Sequence, residues 1–337
     1  MGRFKEFRPL FCYSCRFPTL GKMKLSLHVS FLICALVPLG SSMSQDLAPR
    51  AYVITPVGSN AIILAYSHFN GALEFDGAVP ITGATASINM PIASYYHTLD
   101  FLGRTANITV AVPYAVGDFR GTIFDAPKHA YRSGLLDSFV RFSVNLKGGP
   151  AMRLPEFATW RQQLLLGASL KIVAPTGQYN PTELINLGNN RWAFKPEFGY
   201  SERWRHWVLD GYAATWFFTA NPEFFSHNSF YPGVQVQTQQ PIGAFEAHLS
   251  YDVKPRFWIS VDGNFWFGGK TSLNGIQNPV TLQRSSRVGL TGSLPLSKHQ
   301  SIKVSYSNGA YISYGGNYQT VSVAWQYSWI GWARTHQ

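Results

Sequence analysis

The stretch PIGAFEAHLSYDVKPRFWISVDGNFWF, residues 241–267, alternates apolar and polar side chains on both sides of a short Lys-Pro-Arg turn. Every odd-numbered position from Phe245 to Val253 is apolar, and every even-numbered position from Glu246 to Asp252 is polar. Apolar side chains recur at every second position again between Phe257 and Phe267, interrupted only at a glycine. A period of two is that of a β-strand, so the stretch predicts two antiparallel strands joined by a tight turn.

Alternation of this kind also occurs in soluble sheets with one solvated face. The rest of the chain must therefore show whether the sheet lies in water or in a membrane. After residue 45 no run of 18 or more apolar residues occurs, which is unlike a helical membrane protein. Charged residues make up only 13% of the chain, against about 25% in typical soluble domains. Twelve segments instead show strand patterns: 58–70, 88–101, 105–117, 134–147, 162–175, 191–202, 206–219, 241–253, 256–268, 283–294, 300–312 and 318–330.

The connections between these segments alternate in length. Those after the second, sixth, eighth and tenth segments are tight, while residues 70–87, 118–133, 178–190 and 221–240 form longer connections rich in Gly, Pro, Asn and charge. Two connections break the rule. Residues 148–161 are long although they lie at the end of the barrel that has the tight turns, and residues 315–316 form a tight turn at the end that has the long connections. Outer-membrane barrels alternate in this way, and closure lets every backbone group pair within lipid. We therefore predict an all-β fold, a transmembrane antiparallel up-and-down β-barrel of about 12 strands, over residues 45–337.

The first 44 residues have the pattern of an upstream extension followed by a cleaved signal peptide. A lysine follows Met23, residues 25–39 are mostly apolar, and residues 42–44 are small enough for cleavage near Gln45. The apolar run of about 15 residues is shorter than the roughly 20 that a spanning helix needs. This segment also holds all three cysteines, so the mature chain would have none: Cys12, Cys15 and Cys34.

The net charge must be corrected for the same segment. The whole chain carries +11, but residues 1–44 hold six of the 28 Lys/Arg and one of the 17 Asp/Glu, which leaves 22 against 16, or +6. No long basic run with interleaved aromatics remains, so a nucleic-acid partner is not expected. We expect membrane lipid and lipopolysaccharide as surroundings, in the outer membrane of a Gram-negative-type bacterium. The alternating strand 321–329 is typical of a signal for the barrel assembly machinery, although residues 330–337 extend beyond it.

Four stretches carry a family resemblance: 46–52 (DLAPRAY) with 55–58 (TPVG), 133–137 (SGLLD), 174–179 (APTGQY) and 187–188 (LG). In these the chain resembles the outer-membrane barrel family named for the MetA pathway of phenol degradation. The resemblance spans nearly all of the mature chain, departing at Leu136, where a small residue is usual. It implies uptake of small compounds, aromatic or hydrophobic ones among them, and it brings no catalytic residue set.

Strand parity assigns a charged lining to the barrel interior. Charges of both signs fall on neighbouring strands, so they would pair in ladders. Such ladders either fix the wall around a narrow aqueous path or plug a barrel that encloses less space than a porin of 16–18 strands. The lumen-lining candidates are Asp137, Arg141, Lys171, Glu197, Glu246, His248, Asp262, Asn264, Arg287 and Lys303.

The long connection after the seventh segment is unusually aromatic. It could fold into the mouth as a constriction or capture apolar solutes, and binding of an external partner is the alternative. The candidates for a mouth or gating loop are Phe224, Phe225, Phe230 and Tyr231.

Chemistry of other kinds finds little support. His248, Ser250 and Asp262 contain the residue types of a hydrolase, but no nucleophile elbow surrounds the serine. No His/Asp/Glu cluster has zinc-ligand spacing. We therefore predict no enzyme, catalytic residue, metal or cofactor, and a porin-like outer-membrane channel for passive uptake of a small-molecule solute. The alternatives are a structural or surface-interaction barrel without transport and, less favoured, an outer-membrane hydrolase.

Overall fold

A computed structural model describes residues 47–74, 81–123 and 125–331; the predicted leader, 1–44, lies outside these ranges. The described part contains one short helix, α1 (Leu154–Thr159), and a 3-10 turn, Pro279–Thr281. Its strands are β1 (Ser59–Leu73), β2 (Ile81–Phe101), β3 (Arg104–Ile123), β4 (Ala126–Leu135), β5 (Phe139–Lys147), β6 (Leu164–Val173), β7 (Ala193–Trp204), β8 (Trp207–Phe218), β9 (Gln237–Gln239), β10 (Ile242–Lys254), β11 (Phe257–Gly268), β12 (Thr271–Leu273), β13 (Ile276–Asn278), β14 (Gln283–Pro295), β15 (Gln300–Tyr311) and β16 (Gly316–Ile330).

The large sheet closes on itself. β1 pairs with β16 along its whole length, from Ser59 opposite Ile330 to Leu73 opposite Gly316, and β2 pairs with β3. β4 and β5 follow one another as a single wall strand interrupted at residues 136–138, while β9, β12 and β13 form a small separate sheet. The wall therefore has the twelve antiparallel strands that the alternation predicted.

The two faces of the wall follow the predicted parity. On β10, Phe245 and Leu249 are 50% and 39% exposed on the outside, whereas Glu246 and His248 are buried inside at 7% and 1%. An apolar outer belt is what lipid requires, and it continues around the barrel. Its members include Leu64, Val112, Val140, Leu170, Phe198, Ile259, Val261, Leu290, Val304 and Val323.

Two of the predicted external loops are wrong. Residues 118–133 are mostly strand, since β3 runs to Ile123 and β4 begins at Ala126. Residues 70–87 likewise contain the end of β1 and the start of β2. Hairpin pairing satisfies the backbone above the membrane as well as within it, so polar residues there do not end the strands. Residues 174–192 and 219–241 do connect wall strands as long segments.

No helix within residues 47–74, 81–123 and 125–331 is long and apolar enough to cross a bilayer.

Adjacent substitutions on β15 test the assignment of faces. Val304 lies outside and is 43% exposed, so Val304→Arg should destabilise the barrel by about 2–4 kcal/mol if it lies near mid-membrane. Ser305 lies inside and is only half-buried, so Ser305→Arg should fold. The measurement is urea unfolding in lipid vesicles, followed by the mobility shift between unheated and boiled protein. Equal stability of the two variants would contradict the register.

Candidate functional site

A ladder of ion pairs crosses one side of the lumen. Lys195 Nζ lies 2.8 Å from Glu197 Oε2 and 3.1 Å from Glu246 Oε1. Arg141 Nη2 extends the ladder at one end, 3.2 Å from Glu197 Oε1. At the other end His248 Nδ1 lies 2.9 Å from Asp262 Oδ1. These charges come from β5, β7, β10 and β11, and their side chains are no more than 18% exposed.

The ladder is backed by a segment of the chain itself. Residues 47–58, which we call the N-terminal segment, precede β1 and lie within the lumen. Tyr52 is 1% exposed, and its hydroxyl donates to Glu197 Oε1 at 2.9 Å and lies 3.1 Å from Ser169 Oγ. Its ring lies on two glycines that pair across β6 and β7: a Cβ atom at Gly167 or Gly199 would come within 2.2 or 2.1 Å of the ring. The sequence thus provides a flat cradle for one aromatic ring.

Arg50 fixes the same segment further along the wall. Its Nη2 lies 2.7 Å from Asp252 Oδ1, and its backbone N–H donates to Asp210 Oδ2 at 3.1 Å. Its guanidinium lies 4.5 Å from the centre of the Trp258 ring. A charge pair, a charge-assisted hydrogen bond and a cation–π contact therefore hold one residue against β8, β10 and β11.

The long connection on the short-turn side, residues 148–163, covers the end of the N-terminal segment. Ile54 packs against Met152 and Leu165, and all three are buried. The Val57 N–H donates to the Met152 carbonyl at 2.8 Å. The exception to the alternation of loop lengths thus has a structural reason, because this connection packs against the N-terminal segment.

The opposite side of the lumen is accessible. We call it the open wall: the inward-facing positions within 61–69 of β1, 88–96 of β2, 301–307 of β15 and 320–328 of β16. These side chains are half-buried or exposed, apart from Ala61, Ser67 and Ile88. Inward positions on the ladder side are mostly buried. The space inside the barrel is therefore divided into a filled half and an accessible half.

The aromatic loop, residues 219–241, reaches across the extracellular end of the lumen. Phe224 and Phe225 are 4% and 5% exposed and pack into one cluster with Ala86, Ile88 and Tyr318. The loop starts from β8, yet these partners lie on β2 and β16, on the far side of the closed sheet. The two rings thus cover the upper end of the open wall.

A second external segment, residues 174–192, supports the aromatic loop. The Tyr179 hydroxyl donates to the Glu223 carbonyl at 3.0 Å, and the Ser226 N–H donates to the Pro181 carbonyl at 2.7 Å. Burial raises the pKa of the Tyr179 hydroxyl. Burial also lowers the pKa of Arg191 to about 10, which still leaves it charged.

The predicted lining residues fall into different surroundings. Arg141, Glu197, Glu246, His248 and Asp262 form the ladder described above. Asp137 is instead buried where β4 and β5 meet; its carboxylate accepts from the Gly177 N–H at 2.9 Å and the Asn189 side chain at 2.7 Å. It braces an external segment, which accounts for the SGLLD stretch without any contact to a solute.

The remaining predicted residues lie at other heights. Lys171 Nζ lies 4.0 Å from the Phe139 ring centre. Arg287, opposite the buried Asn264 on β11, donates to the Tyr318 carbonyl at 2.9 Å. Lys303 is exposed on the open wall.

The four predicted mouth residues divide into two pairs. Phe224 and Phe225 are buried against the far wall, whereas Phe230 is 50% exposed and Tyr231 half-buried. The Tyr231 hydroxyl accepts from Asn274 Nδ2 at 3.0 Å. Only the first pair therefore belongs to the buried cluster with β2 and β16.

Sequence reasoning missed Arg50 and Tyr52 as lumen residues. Both belong to the DLAPRAY stretch of the family resemblance, but they precede the first strand and have no strand parity to place them. The available signal was the pair of inward glycines at 167 and 199, each on a strand of larger residues.

No group of three His, Cys, Asp or Glu side chains within the described ranges is arranged to hold a metal ion.

Comparison with known proteins gives one family and several barrels. The model of the family described as "Putative MetA-pathway of phenol degradation" matches residues 70–310. An outer membrane channel from Pseudomonas putida F1 superposes with a TM-score of 0.68 at 17% identity, over 84% of this chain and 100% of that one. At this identity the likeness shows the fold.

Two further structures are more distant. The beta domain of the Bordetella autotransporter BrkA has a TM-score of 0.46 at 10% identity, over 81% of this chain and 100% of its own. The CymD monoaromatic hydrocarbon channel has a TM-score of 0.40 at 6% identity, over 82% and 90%. We found no match among curated protein sequences.

Proposed function

The chain belongs to the family named for the MetA pathway of phenol degradation, and from that premise we propose that it is a passive outer-membrane channel for small solutes. The observation that carries the proposal is the division of the lumen. The ladder and the N-terminal segment fill one half, while the open wall keeps side chains accessible along the other. A path of this kind admits small molecules and excludes large ones.

The ladder is better suited to support than to transport. Its charges are paired with one another and withdrawn from solvent, and the Asp262 carboxylate also accepts from Ser260 and Thr291, each at 2.6 Å. Paired, hydrogen-bonded charges in a narrow space stabilise one arrangement of the wall. The ladder thus serves as scaffold for the N-terminal segment, and the solute passes along the open wall.

The small solutes that we infer include aromatic or hydrophobic compounds. The inward side chains of β1 and β2 contribute Ile63, Ile92, Met90 and Tyr96, all half-buried. These present apolar surface beside the hydroxyl groups of β15 and β16. Flat apolar molecules bind such a surface favourably, because the contact removes apolar surface from water.

We infer that the chain is not an enzyme. In the triad that the sequence offered, His248 Nδ1 contacts Asp262, but His248 Nε2 faces Glu246 Oε2 at 3.5 Å and not a hydroxyl. Ser250 is 0% exposed. A nucleophile needs its base within hydrogen-bond reach and room for a substrate, and neither condition is met here.

A pair of bulky substitutions on β16 tests the channel. Ala324 faces the lumen on the open wall and is half-buried, whereas its neighbour Val323 faces outward and is 43% exposed. We expect Ala324→Trp to reduce single-channel conductance in planar bilayers and the uptake of phenol by liposomes, because the indole obstructs the path. Val323→Trp should leave both unchanged, since the ring enters lipid.

Three results would oppose the proposal. A wild-type barrel without conductance or uptake of phenolics, sugars or nucleosides would favour a structural or surface-binding role. Release of fatty acid or peptide fragments would support the hydrolase. Equal loss of conductance in Ala324→Trp and Val323→Trp would show that the solute does not pass along the open wall.

A further inference from the structure

Positive charge is concentrated at the end of the barrel that has the tight turns. In outer-membrane barrels the short turns face the periplasm. We call this end the turn rim: residues 99–106, 145–166, 202–209, 252–259 and 293–302. Each of its five connections carries an exposed Lys or Arg, in chain order Arg104, Lys147, Arg205, Lys254 and Lys298. The second connection adds Arg153 and Arg161 and the fourth adds Arg256, which makes eight.

Exposed carboxylates do not match this number. The turn rim has three of them: Asp100, Glu156 and Glu202. At the opposite end of the barrel, the described residues include three exposed cations and three exposed carboxylates: Arg120, Lys128, Arg284, Glu74, Asp125 and Glu223. Exposed Lys, Arg, Asp and Glu side chains therefore sum to +5 at the turn rim, eight against three, and to zero at the other end, three against three. The excess belongs to one surface of the membrane.

Aromatic side chains place the turn rim at the height of lipid headgroups. Trp204 and Trp207 lie opposite each other at the end of the β7–β8 hairpin, and they are 44% and 40% exposed. The Trp207 ring centre lies 4.8 Å from that of Tyr251. Amphipathic rings of this kind mark the interface between the apolar slab and the headgroups. Arg205 directly follows Trp204, and Lys254 lies shortly after Tyr251, so their charges lie where lipid phosphates do.

A contact between two neighbouring turns gathers three of the cations. Arg256 Nη1 donates to the Ser297 carbonyl at 2.7 Å and to the Lys298 carbonyl at 3.0 Å. This joins the β10–β11 turn, which carries Lys254, to the β14–β15 turn. The carboxylate within these two stretches of the rim is that of Asp252, which is half-buried and paired with Arg50 and Arg203. Cations held close together repel one another, so an anion bound beside them stabilises the arrangement.

We propose that the turn rim is a binding surface for anionic phospholipid headgroups, centred on Lys254, Arg256 and Lys298. The acyl chains of such a lipid pack against the apolar outer belt, and its phosphate meets the cations just beyond the aromatic rings. Clusters of Lys and Arg at the membrane surface bind anionic lipids in this way. The turn rim binds lipid whether or not the barrel conducts solutes.

Lipid preference is measured by electron spin resonance of spin-labelled phosphatidylglycerol and phosphatidylcholine in phosphatidylcholine vesicles that contain the folded barrel. We expect the fraction of label immobilised at the protein surface to favour phosphatidylglycerol about twofold or more. The preference should fall at about 1 M NaCl, because the screening length is then only about 3 Å.

A triple variant, Arg205→Gln with Lys254→Gln and Lys298→Gln, should lose most of the preference. The matched control removes the same number of charges from the other end of the barrel: Arg120→Gln, Lys128→Gln and Arg284→Gln. It should keep the preference of the wild type. Heat-modifiable migration shows that both variants fold.

Three results would overturn the proposal. The first is a wild type that immobilises both lipids equally, and sedimentation of that protein with peptidoglycan sacculi would assign the turn rim to the cell wall instead. The second is an equal loss of preference in the two triple variants, which would show that total charge matters and its position does not. The third is a preference that persists unchanged at high salt.

Discussion

Removing the Tyr52 ring should raise the single-channel conductance roughly twofold or more, because the N-terminal segment narrows the conducting cross-section. The ring lies between the ladder and the glycine cradle, and its hydroxyl contacts Glu197 and Ser169. Tyr52→Ala deletes both the ring and these contacts. The noise of the current should also increase, since the N-terminal segment loses one of the contacts that hold it against the wall.

A substitution in the cradle provides an independent route to the same state. Gly199→Val places a side chain where a Cβ atom alone would come within 2.1 Å of the Tyr52 ring. The ring must leave, while the segment keeps its own sequence. Conductance should therefore rise as it does in Tyr52→Ala.

The matched control is Tyr306→Ala, which removes the same side chain from the outward face of β15, where it is 44% exposed. It should leave conductance unchanged. If the two lumen variants fold normally by heat-modifiable migration and conduct like the wild type, the N-terminal segment does not restrict the path.

The second large effect is expected at the opposite end of the barrel. Phe224→Ser combined with Phe225→Gly should speed liposome uptake of phenol severalfold, because both rings leave the apolar cluster above the open wall. Phe225 has a φ of 45°, in the left-handed region that disfavours side chains. Burial of its ring offsets that strain, and glycine at this position relieves the strain while removing the cover.

Phe230→Ser is the control for the aromatic loop. This ring lies in the same loop, 6.1 Å from the Phe225 ring centre, but is 50% exposed and outside the buried cluster. Uptake should stay at the wild-type rate. Faster uptake in Phe230→Ser than in the double variant would show that the mouth opens by another part of the loop.

The faces of the wall strands could be read directly from the sequence. Side chains of successive residues point to opposite sides of a strand. Once the strands are assigned, Leu249 and Val261 must therefore lie on the outer face. The same parity assigns Trp258 and Trp266 to the interior, and both lie there, one beside Arg50 and the other 1% exposed. These predictions needed only local geometry and the requirement that a sheet in lipid be closed.

Strand ends were less accessible to the same reasoning. Asp118 and Arg120 looked like loop residues, yet they belong to β3. Their backbone groups pair with β2 and β4, and that pairing extends the hairpin beyond the lipid. Above the membrane the outer face of the sheet can be polar. The strand therefore continues beyond the residues that alternate between apolar and polar.

The sequence by itself determined that this chain forms a twelve-stranded barrel, which side chains face its interior and that those include charges of both signs. Only the tertiary structure decided which inward residues are covered. Tyr52 contacts Glu197 from 145 positions away, and Phe224 belongs to the same buried cluster as Ala86 and Ile88. Such contacts depend on strands that closure brings face to face, whereas parity is a property of neighbouring residues. Strand parity assigns Lys195 and Lys303 alike to the interior; only packing buries the first in a ladder and leaves the second exposed along the path.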